Sequence, residues 1–240
     1  MKKVILLILI VMVVIGSIYG GTVFYKGYKM YLETMDDVDI EEVVEAVRSR
    51  ENYVKIDQLP SHLLNALIAV EDHRFMTHDG FDVMSFGRAV IRNIQENEFA
   101  AGGSTITQQL SKNLFFSFEK KMERKVAELI VAKHLESLYE KDEILELYIN
   151  VIYYGNGFEN IYDASMGYFN KHPKDLTNAE ATLLAGLPQA PSTYALIEHF
   201  DRGVERGLMV IDAMIDHGYM TETHGEALKL ELKNVKLQAD

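Results

Sequence analysis

The most hydrophobic part of the chain is its N-terminus, where residues 4–25 include no charged side chain. At a rise of about 1.5 Å per residue, such a segment forms a helix of roughly 33 Å, which is long enough to cross the hydrocarbon core of a bilayer. Lys2 and Lys3 precede it and favour a cytoplasmic N-terminus, although the lysines that follow weaken the charge asymmetry. A cleaved signal peptide is the alternative, but the apolar run is long and lacks a small-residue cleavage site. The pattern therefore predicts one uncleaved transmembrane anchor.

After this segment, apolar residues recur mostly three and four positions apart, which is the spacing of helices that bury one face. Residues 53–56 instead alternate apolar and polar side chains and predict one short strand. A capping box at residues 177–180 marks the start of a further helix. Together these patterns predict a mainly α fold. The predicted helices cover residues 26–50, 60–71, 81–94, 123–139, 141–153, 181–185, 202–216 and 221–232.

The composition fits one domain with an appendage, since the chain has 240 residues of which 48% are hydrophobic. The net charge of −12, without a basic stripe, argues against nucleic acid as a partner. The absence of cysteine is compatible with any redox compartment. Acidic side chains crowd residues 33–45, which predicts a solvated segment that stands off the membrane. The predicted organisation is a cytoplasmic N-terminus (1–3), a transmembrane helix (4–25), an acidic linker or stalk (26–50) and a domain formed by 51–235.

The first concentration of chemically active side chains follows the helix predicted to end near residue 71. Glu71 and Asp72 are adjacent carboxylates at the end of an apolar face, an arrangement that is costly unless they function or are well solvated. Such a cluster suits general acid/base catalysis, but a polar helix end followed by a turn explains it equally well. Five more ionisable or hydroxyl side chains follow before Gly80, namely His73, Arg74, Thr77, His78 and Asp79.

A second polar stretch, residues 100–113, combines paired glycines with hydroxyl, amide and amino groups. Glycines allow a ligand to approach the backbone closely, and uncharged donors beside the Lys112 cation suit sugar hydroxyls and phosphate oxygens. The glycine spacing is not that of a nucleotide-binding P-loop. The alternative is a polar loop that enters a helix with Ser104 or Thr105 as its N-cap. Together with the first cluster, this stretch favours the functional interpretation.

Arg124, Lys125 and Glu128 lie on the helix predicted over residues 123–139, and two interpretations of them are open. Arg124 and Glu128 are four residues apart on one helix face, where a structural salt bridge contributes about 0.3 kcal/mol. The functional interpretation is a cationic phosphate site with a carboxylate beside it.

Four segments, in this order along the chain, resemble the first four signature motifs of the peptidoglycan glycosyltransferases. These are the family 51 glycosyltransferases found in class A penicillin-binding proteins and as monofunctional enzymes. The similarity runs from about residue 50 to about residue 225. The four segments are Glu71-Asp-x-x-Phe-x-x-His-x-Gly80, Gly103-Ser-Thr-Ile-Thr-Gln-Gln-x-x-Lys-Asn113, Arg124-Lys-x-x-Glu128 and Lys141-x-Glu-Ile-Leu-Glu-x-Tyr-x-Asn150.

The resemblance implies a lysozyme-like helical head with a small membrane-proximal jaw, behind a single transmembrane helix. Because the chain ends soon after this domain, it resembles the monofunctional type. The implied reaction joins a glycan held on undecaprenyl pyrophosphate to lipid II. The GlcNAc 4-hydroxyl of lipid II attacks the anomeric carbon of the donor MurNAc with inversion, which makes a β-1,4 bond and releases undecaprenyl pyrophosphate. The implied location is the cell membrane, with the catalytic domain outside the cytoplasm and other cell-wall synthesis proteins as candidate partners.

The motif positions also imply roles for individual residues. Glu71 resembles the general base that accepts the 4-hydroxyl proton, and Glu128 resembles a second essential carboxylate near the donor pyrophosphate. Lys112, Arg124 and Lys125 would neutralise the charge that grows on the leaving group. The other implied substrate contacts are Ser104, Thr105, Gln109, Asn113 and Arg206, and the residues implied to support the first motif are Asp72, Phe75, His78 and Gly80.

The sequence departs from the family pattern at the fifth motif, which begins with two basic residues. Here Glu205 takes the first of these places, so that Arg206 alone can carry the charge of the motif. The resemblance also leaves room for a divalent cation, Mg²⁺ or Mn²⁺, because family members are stimulated by such ions. No closed ligand set is visible in the sequence, and the metal site stays unknown.

Two other functions compete with this one. A lysozyme-like enzyme that cleaves glycan would also use one glutamate at a helix end, but it has no pyrophosphate for Lys112, Arg124 and Lys125 to hold. A non-catalytic membrane scaffold of the cell-wall machinery would have little reason to keep both Glu71 and Glu128. The sequence therefore favours the glycosyltransferase.

Overall fold

The computed structural model describes residues 2–96, 103–116 and 121–238, and in these residues the regular structure is helical, without a strand. The predicted mainly α fold class is therefore confirmed. The helices are α1 (Lys2–Asp37), α2 (Ile40–Arg48), α3 (Ser61–Glu71), α4 (Val83–Glu96), α5 (Ile106–Phe115), α6 (Met122–Leu138), α7 (Lys141–Ile149), α8 (Ile161–Phe169), α9 (Asn178–Gly186), α10 (Pro191–Tyr194), α11 (Leu196–Asp216) and α12 (Glu222–Leu232), with 3-10 turns at Ile56–Gln58, Phe75–Thr77, Pro173–Asp175 and Leu187–Gln189.

Helix α1 has an exposed apolar half and a half that packs on the body. Its apolar side chains up to Tyr25 are largely exposed to solvent, whereas Gly27 is buried against α6. A Cβ atom at Gly27 would lie 2.5 Å from Cβ of Val126, so glycine permits this close approach of the two helices. In the described part of the chain, α1 is the one helix long and apolar enough to cross a membrane, a criterion that a signal sequence also meets.

The acidic segment after the anchor packs on the body through one apolar face. Helix α2 buries Ile40, Val44 and Val47 in the core of the body. Its acidic side chains lie on the outer face, and Arg48 pairs with Glu143 of α7 at 2.8 Å. The charge of the segment is solvated as predicted, but its apolar stripe anchors it to the domain.

The strand predicted over residues 53–56 is absent, and the side chains of α7 explain why. Asn150 accepts a hydrogen bond from the backbone N–H of Val54 at 2.9 Å and donates to the carbonyl of Val54 at 2.8 Å. Glu146 accepts from the N–H of Ile56 at 2.8 Å. These side chains take the place of a neighbouring strand, because they satisfy buried backbone groups that a ladder would otherwise pair.

The variant Asn150→Ala is expected to lower the free energy of unfolding by about 2–4 kcal/mol, because the buried N–H and carbonyl of Val54 both lose their partner. Urea denaturation followed by far-UV circular dichroism measures this. Asn234→Ala is the matched control, since the Asn234 side chain donates to the Leu230 carbonyl at an exposed site. The control should change stability by less than about 0.5 kcal/mol. Equal effects of the two variants would contradict the proposed clamp.

The centre of the body is a core in which α3, α9 and α11 pack on one another. Leu67 of α3, Leu183 of α9 and Val210 of α11 are fully buried there. The capping box predicted at the start of α9 is confirmed, with Thr177 accepting from the backbone N–H of Glu180. This core holds α3 rigidly, so that the residue at its C-terminal end has a defined position.

Candidate active site

Glu71 is the last residue of α3, and its side chain is only 7% exposed. Gln109 donates a hydrogen bond from Nε2 to Oε2 of Glu71 at 2.8 Å. The other carboxylate oxygen, Oε1, lies 3.6 Å from Nη2 of Arg206 and has no hydrogen bond from the described residues. Burial raises the pKa of Glu71, and the Gln109 hydrogen bond and the Arg206 charge oppose that rise. A buried carboxylate with a raised pKa and one oxygen that accepts no hydrogen bond is suited to accept a proton.

Glu71 lies on the wall of a cavity of about 550 Å³ between α3, α4, the start of α5 and the end of α11. A cavity of this size can take a sugar with its attached groups. Ser104 lines it beside Glu71, as expected from the second polar stretch. The other polar side chains that line it include His73, Asp82, Ser85, Arg88 and His217.

Asp72 joins the end of α3 to the start of α5. It is buried, and its Oδ2 accepts hydrogen bonds from Nε2 of His78 at 2.9 Å and from the backbone N–H of Ile106 at 3.0 Å. Nδ1 of His78 accepts from the N–H of Gly80 at 3.2 Å, so Nε2 is the ring nitrogen that carries the proton. The chain after Glu71 is therefore held in one shape by contacts within the first motif.

Thr105 is the N-cap of α5, as one of the two sequence interpretations predicted. Its hydroxyl accepts from the backbone N–H of Gln108 and donates to the carbonyl of Gly80 at 2.8 Å. Gly80 has φ +87°, a backbone conformation that favours glycine, and a Cβ there would lie 3.1 Å from the Ala132 backbone. Phe75 is fully buried beneath the same turn. Both hydrogen bonds of the Thr105 hydroxyl therefore stabilise the loop and the start of α5.

The second carboxylate, Glu128, is 1% exposed and lies among cations on α6. Arg124 donates to its Oε1, and Nζ of Lys125 lies 2.8 Å from its Oε2. Lys125 also donates to the hydroxyl of Ser104 at 3.2 Å, which links this cluster to the loop that lines the cavity. A structural salt bridge and a phosphate site both predict the pair of Arg124 and Glu128. The second cation, Lys125, is needed only for a phosphate site and so favours that interpretation.

Lys112 on α5 interacts electrostatically with both carboxylates, Glu71 and Glu128. Burial and the neighbouring cations Lys125 and Arg124 lower the pKa of Lys112, whereas the charges of Glu128 and Glu71 oppose that shift. Lys112 is thus within electrostatic reach of both carboxylates. Lys112, Arg124 and Lys125, which we call the cationic cluster, gather three cations near Glu128, and such a group of donors is suited to bind an anion such as a pyrophosphate.

Of the residues that the sequence predicted to contact the substrate, Gln109 and Arg206 lie beside Glu71, whereas Asn113 lies at another cavity. Gln109 faces Glu71, and Arg206 also lies at Glu71 while its Nε donates to the Gly186 carbonyl at 3.1 Å. Glu205, the departure in the fifth motif, is exposed, because neighbouring helix residues point in different directions. Asn113 lines a separate cavity of about 560 Å³ and not the one beside Glu71.

Part of the predicted site falls outside the described residues. The glycine pair of the second stretch includes Gly102, which lies in the undescribed segment 97–102. Within the described ranges, no group of three or more His, Asp or Glu side chains could hold a metal ion.

The cavity has a second wall, formed by His73, Arg88 and His217, and of these three residues the sequence pointed only to His73. The rings of His73 and His217 stack with centroids 4.1 Å apart, and Nη2 of Arg88 lies 3.1 Å from Nε2 of His73. Arg88 lines this part of the cavity with an exposed side chain. No local pattern marks His217, because the end of α11 reaches the site only through the packing of α11 on α3.

Comparison with known proteins decides the family. The transglycosylase family model matches residues 38–215. The chain belongs to the transglycosylase family. It is homologous to the glycosyltransferase domains of class A penicillin-binding proteins, and glycan polymerisation is the activity implied for the family. The resemblance seen in the four motifs is therefore confirmed.

Penicillin-binding proteins are among the relatives. Penicillin-binding protein 1F of Bacillus subtilis (strain 168) is 43% identical over 202 residues, which cover 82% of this chain and 28% of that protein. Penicillin-binding protein 1A of Escherichia coli (strain K12) is 36% identical over 235 residues, which cover 93% and 28%. The chain thus spans about a quarter of these relatives. The crystal structure of penicillin-binding protein 1A from Haemophilus influenzae matches with a TM-score of 0.42 and 22% identity, over 73% of this chain and 17% of that one.

Proposed function

We propose that this chain polymerises lipid II into β-1,4-linked glycan strands. The donor is a growing glycan on undecaprenyl pyrophosphate, and the acceptor is the GlcNAc 4-hydroxyl of lipid II. The acceptor oxygen bonds to the anomeric carbon of the donor MurNAc with inversion, while the bond from that carbon to the pyrophosphate oxygen breaks. The observation that carries this proposal is the buried Glu71 on a cavity wall, with Lys112 of the cationic cluster within its electrostatic reach.

Glu71 is the proposed general base. As the new glycosidic bond forms, the 4-hydroxyl proton passes to the carboxylate of Glu71, for which Oε1 is the oxygen without a hydrogen bond. Gln109 and Arg206 hold the carboxylate in place and favour its ionised form, against the effect of burial. Asp72 keeps the end of α3 in register with α5, which carries Gln109.

The cationic cluster is the proposed site of the donor pyrophosphate. Negative charge grows on this group as it leaves, and fixed cations aimed at developing charge lower the barrier most effectively. Glu128 orients Arg124 and Lys125 through their ion pairs. Ser104 contributes a hydroxyl beside Lys125 at the cavity wall. This cluster also disfavours a glycan hydrolase, because hydrolysis of a glycosidic bond releases no anion.

Helix α1 is the proposed membrane anchor, with its N-terminus in the cytoplasm and the body outside. Its exposed apolar half is long enough to cross a bilayer. Both proposed substrates carry a polyprenyl chain and stay in the membrane. The packing of α1 on α6, the helix that carries Arg124 and Lys125, would therefore keep the site close to the lipid surface.

The full chain, purified in detergent and supplied with labelled lipid II, tests these proposals. Polymer that lysozyme digests supports the glycosyltransferase. Cleavage of preformed glycan would instead support the hydrolase, and neither product would support a scaffold.

The rate of polymerisation should fall as the pH falls through the raised pKa of Glu71. A base acts in its ionised form, so activity is present above this pKa and is lost below it. Because burial raises the pKa of Glu71, the acid limb of kcat/KM should lie above the ordinary glutamate value of about 4.3. Initial rates at limiting lipid II measure the limb, with circular dichroism at each pH as the control for folding. A limb at or below the ordinary value would contradict the assignment.

A further inference from the structure

A buried tyrosine on α7 contacts the glutamine that holds Glu71. Tyr148 is fully buried, and its hydroxyl donates a hydrogen bond to Oε1 of Gln109 at 3.2 Å. The other end of the same amide, Nε2, donates to Oε2 of Glu71 at 2.8 Å. The three side chains come from α7, α5 and α3, so their alignment is a product of tertiary packing.

The orientation of the amide decides what it does to Glu71. With Nε2 toward the carboxylate, Gln109 donates to the ionised form and stabilises it. With Oε1 toward the carboxylate, it would repel the ionised form and accept a hydrogen bond from the protonated form. Burial raises the pKa of Tyr148 well above its ordinary range, so the hydroxyl keeps its proton and remains a donor. A donor next to Oε1 favours the first orientation.

We propose that Tyr148 is a positioning residue of the reaction, whose hydroxyl holds the Gln109 amide with its NH₂ group toward Glu71. Tyr148 thereby favours the ionised form of Glu71, which is the form able to accept the substrate proton. This inference rests on the proposed role of Glu71 as the general base. If Tyr148 served only to fill the core, its hydroxyl would affect stability and leave the pH dependence of the reaction unchanged.

The test compares pH profiles of kcat/KM for the full chain in detergent with labelled lipid II. In Tyr148→Phe, the amide is free to turn its oxygen toward a protonated Glu71, which raises the pKa of Glu71. The acid limb should therefore move up by about one pH unit. Tyr154→Phe is the matched control, since Tyr154 is also fully buried and its hydroxyl donates to the Ile149 carbonyl. Equal limbs in the two variants would overturn the proposal.

A second background shows whether Tyr148 acts through Gln109. The variant Gln109→Ala removes the amide and should itself raise the acid limb. Adding Tyr148→Phe to Gln109→Ala should then shift the limb no further, because the group that Tyr148 orients is gone. A shift of the same size in both backgrounds would show that Tyr148 acts by another route.

If Tyr148→Phe does not fold, a nearly isosteric replacement of Tyr148 tests the same proposal. Incorporation of 3-fluorotyrosine at position 148 keeps the ring and hydroxyl but makes the hydroxyl a stronger donor. The acid limb should then move to lower pH, and an unchanged or raised limb would contradict the proposal. Glu71→Gln separates the two levels of inference. If Glu71→Gln still polymerises lipid II, the proposed base is wrong; if it is inactive and Tyr148 variants leave the limb in place, only the role of Tyr148 is wrong.

Discussion

Replacing Glu71 by glutamine is expected to abolish polymerisation of lipid II while the fold is retained. Glutamine has the same shape but cannot accept the 4-hydroxyl proton, and loss of a general base reduces rates about 10²- to 10⁴-fold. The purified variant is assayed with labelled lipid II in detergent, with wild type in parallel. Polymerisation at a rate near wild type would show that Glu71 is not the base.

Stability distinguishes loss of the base from loss of the fold. Because the folded-state pKa of Glu71 is raised, its stabilising contribution is present at low pH and is lost as the pH rises through that pKa. Above that pKa the ionised, buried carboxylate opposes folding, and the uncharged amide of Glu71→Gln removes that opposition. The variant should unfold thermally at a temperature no lower than wild type, although it loses the attraction of Arg206.

Glu180→Gln is the matched control for Glu71→Gln. Glu180 is also a buried glutamate, but it lies at the start of α9, where it accepts from Nζ of Lys171 at 2.7 Å. Glutamine can replace its capping-box contact to Thr177. Polymerisation by Glu180→Gln should therefore stay close to wild type, and a comparable loss in both variants would point to a general effect of removing a buried charge.

Arg124→Ala is expected to reduce turnover by about 10²- to 10³-fold, because it removes a cation that faces the charge developing on the leaving pyrophosphate. It also removes a partner of the buried Glu128, which is expected to lower stability by about 3 kcal/mol. Turnover is measured at a temperature where thermal unfolding shows the variant to be folded. Arg124→Lys keeps the charge but not the fork of donors and should lose less activity.

Lys133→Ala provides the control on the same helix. Lys133 pairs with Asp79 at 3.0 Å, but both side chains are exposed, so the pair contributes little to stability or charge at the site. Its turnover should match wild type. An unchanged turnover in Arg124→Ala would return Arg124 and Glu128 to the interpretation of a structural salt bridge.

Local patterns predicted several elements well because the forces behind them are local. The three- and four-residue periodicity predicted α3 and α6, since each helix buries one face. The capping box before α9 is a contact between residues three positions apart. The prediction of a strand at residues 53–56 was wrong because the deciding contact is not local. The side chain of Asn150, far along the chain, makes the hydrogen bonds of the Val54 backbone.

By itself, the sequence determined the helical class, the apolar N-terminal helix and the family, and it pointed to the two carboxylates of the proposed site. Only the tertiary structure decided which side chains contact these two carboxylates. In the folded protein, Gln109 lies between Glu71 and Tyr148, and Arg206 lies beside Glu71. Asn113 lines another cavity. Periodicity shows that a helix has a buried face but not what covers that face. The partners of Glu71 come from α5, α7 and α11, and only the packing of these helices sets the distances between them.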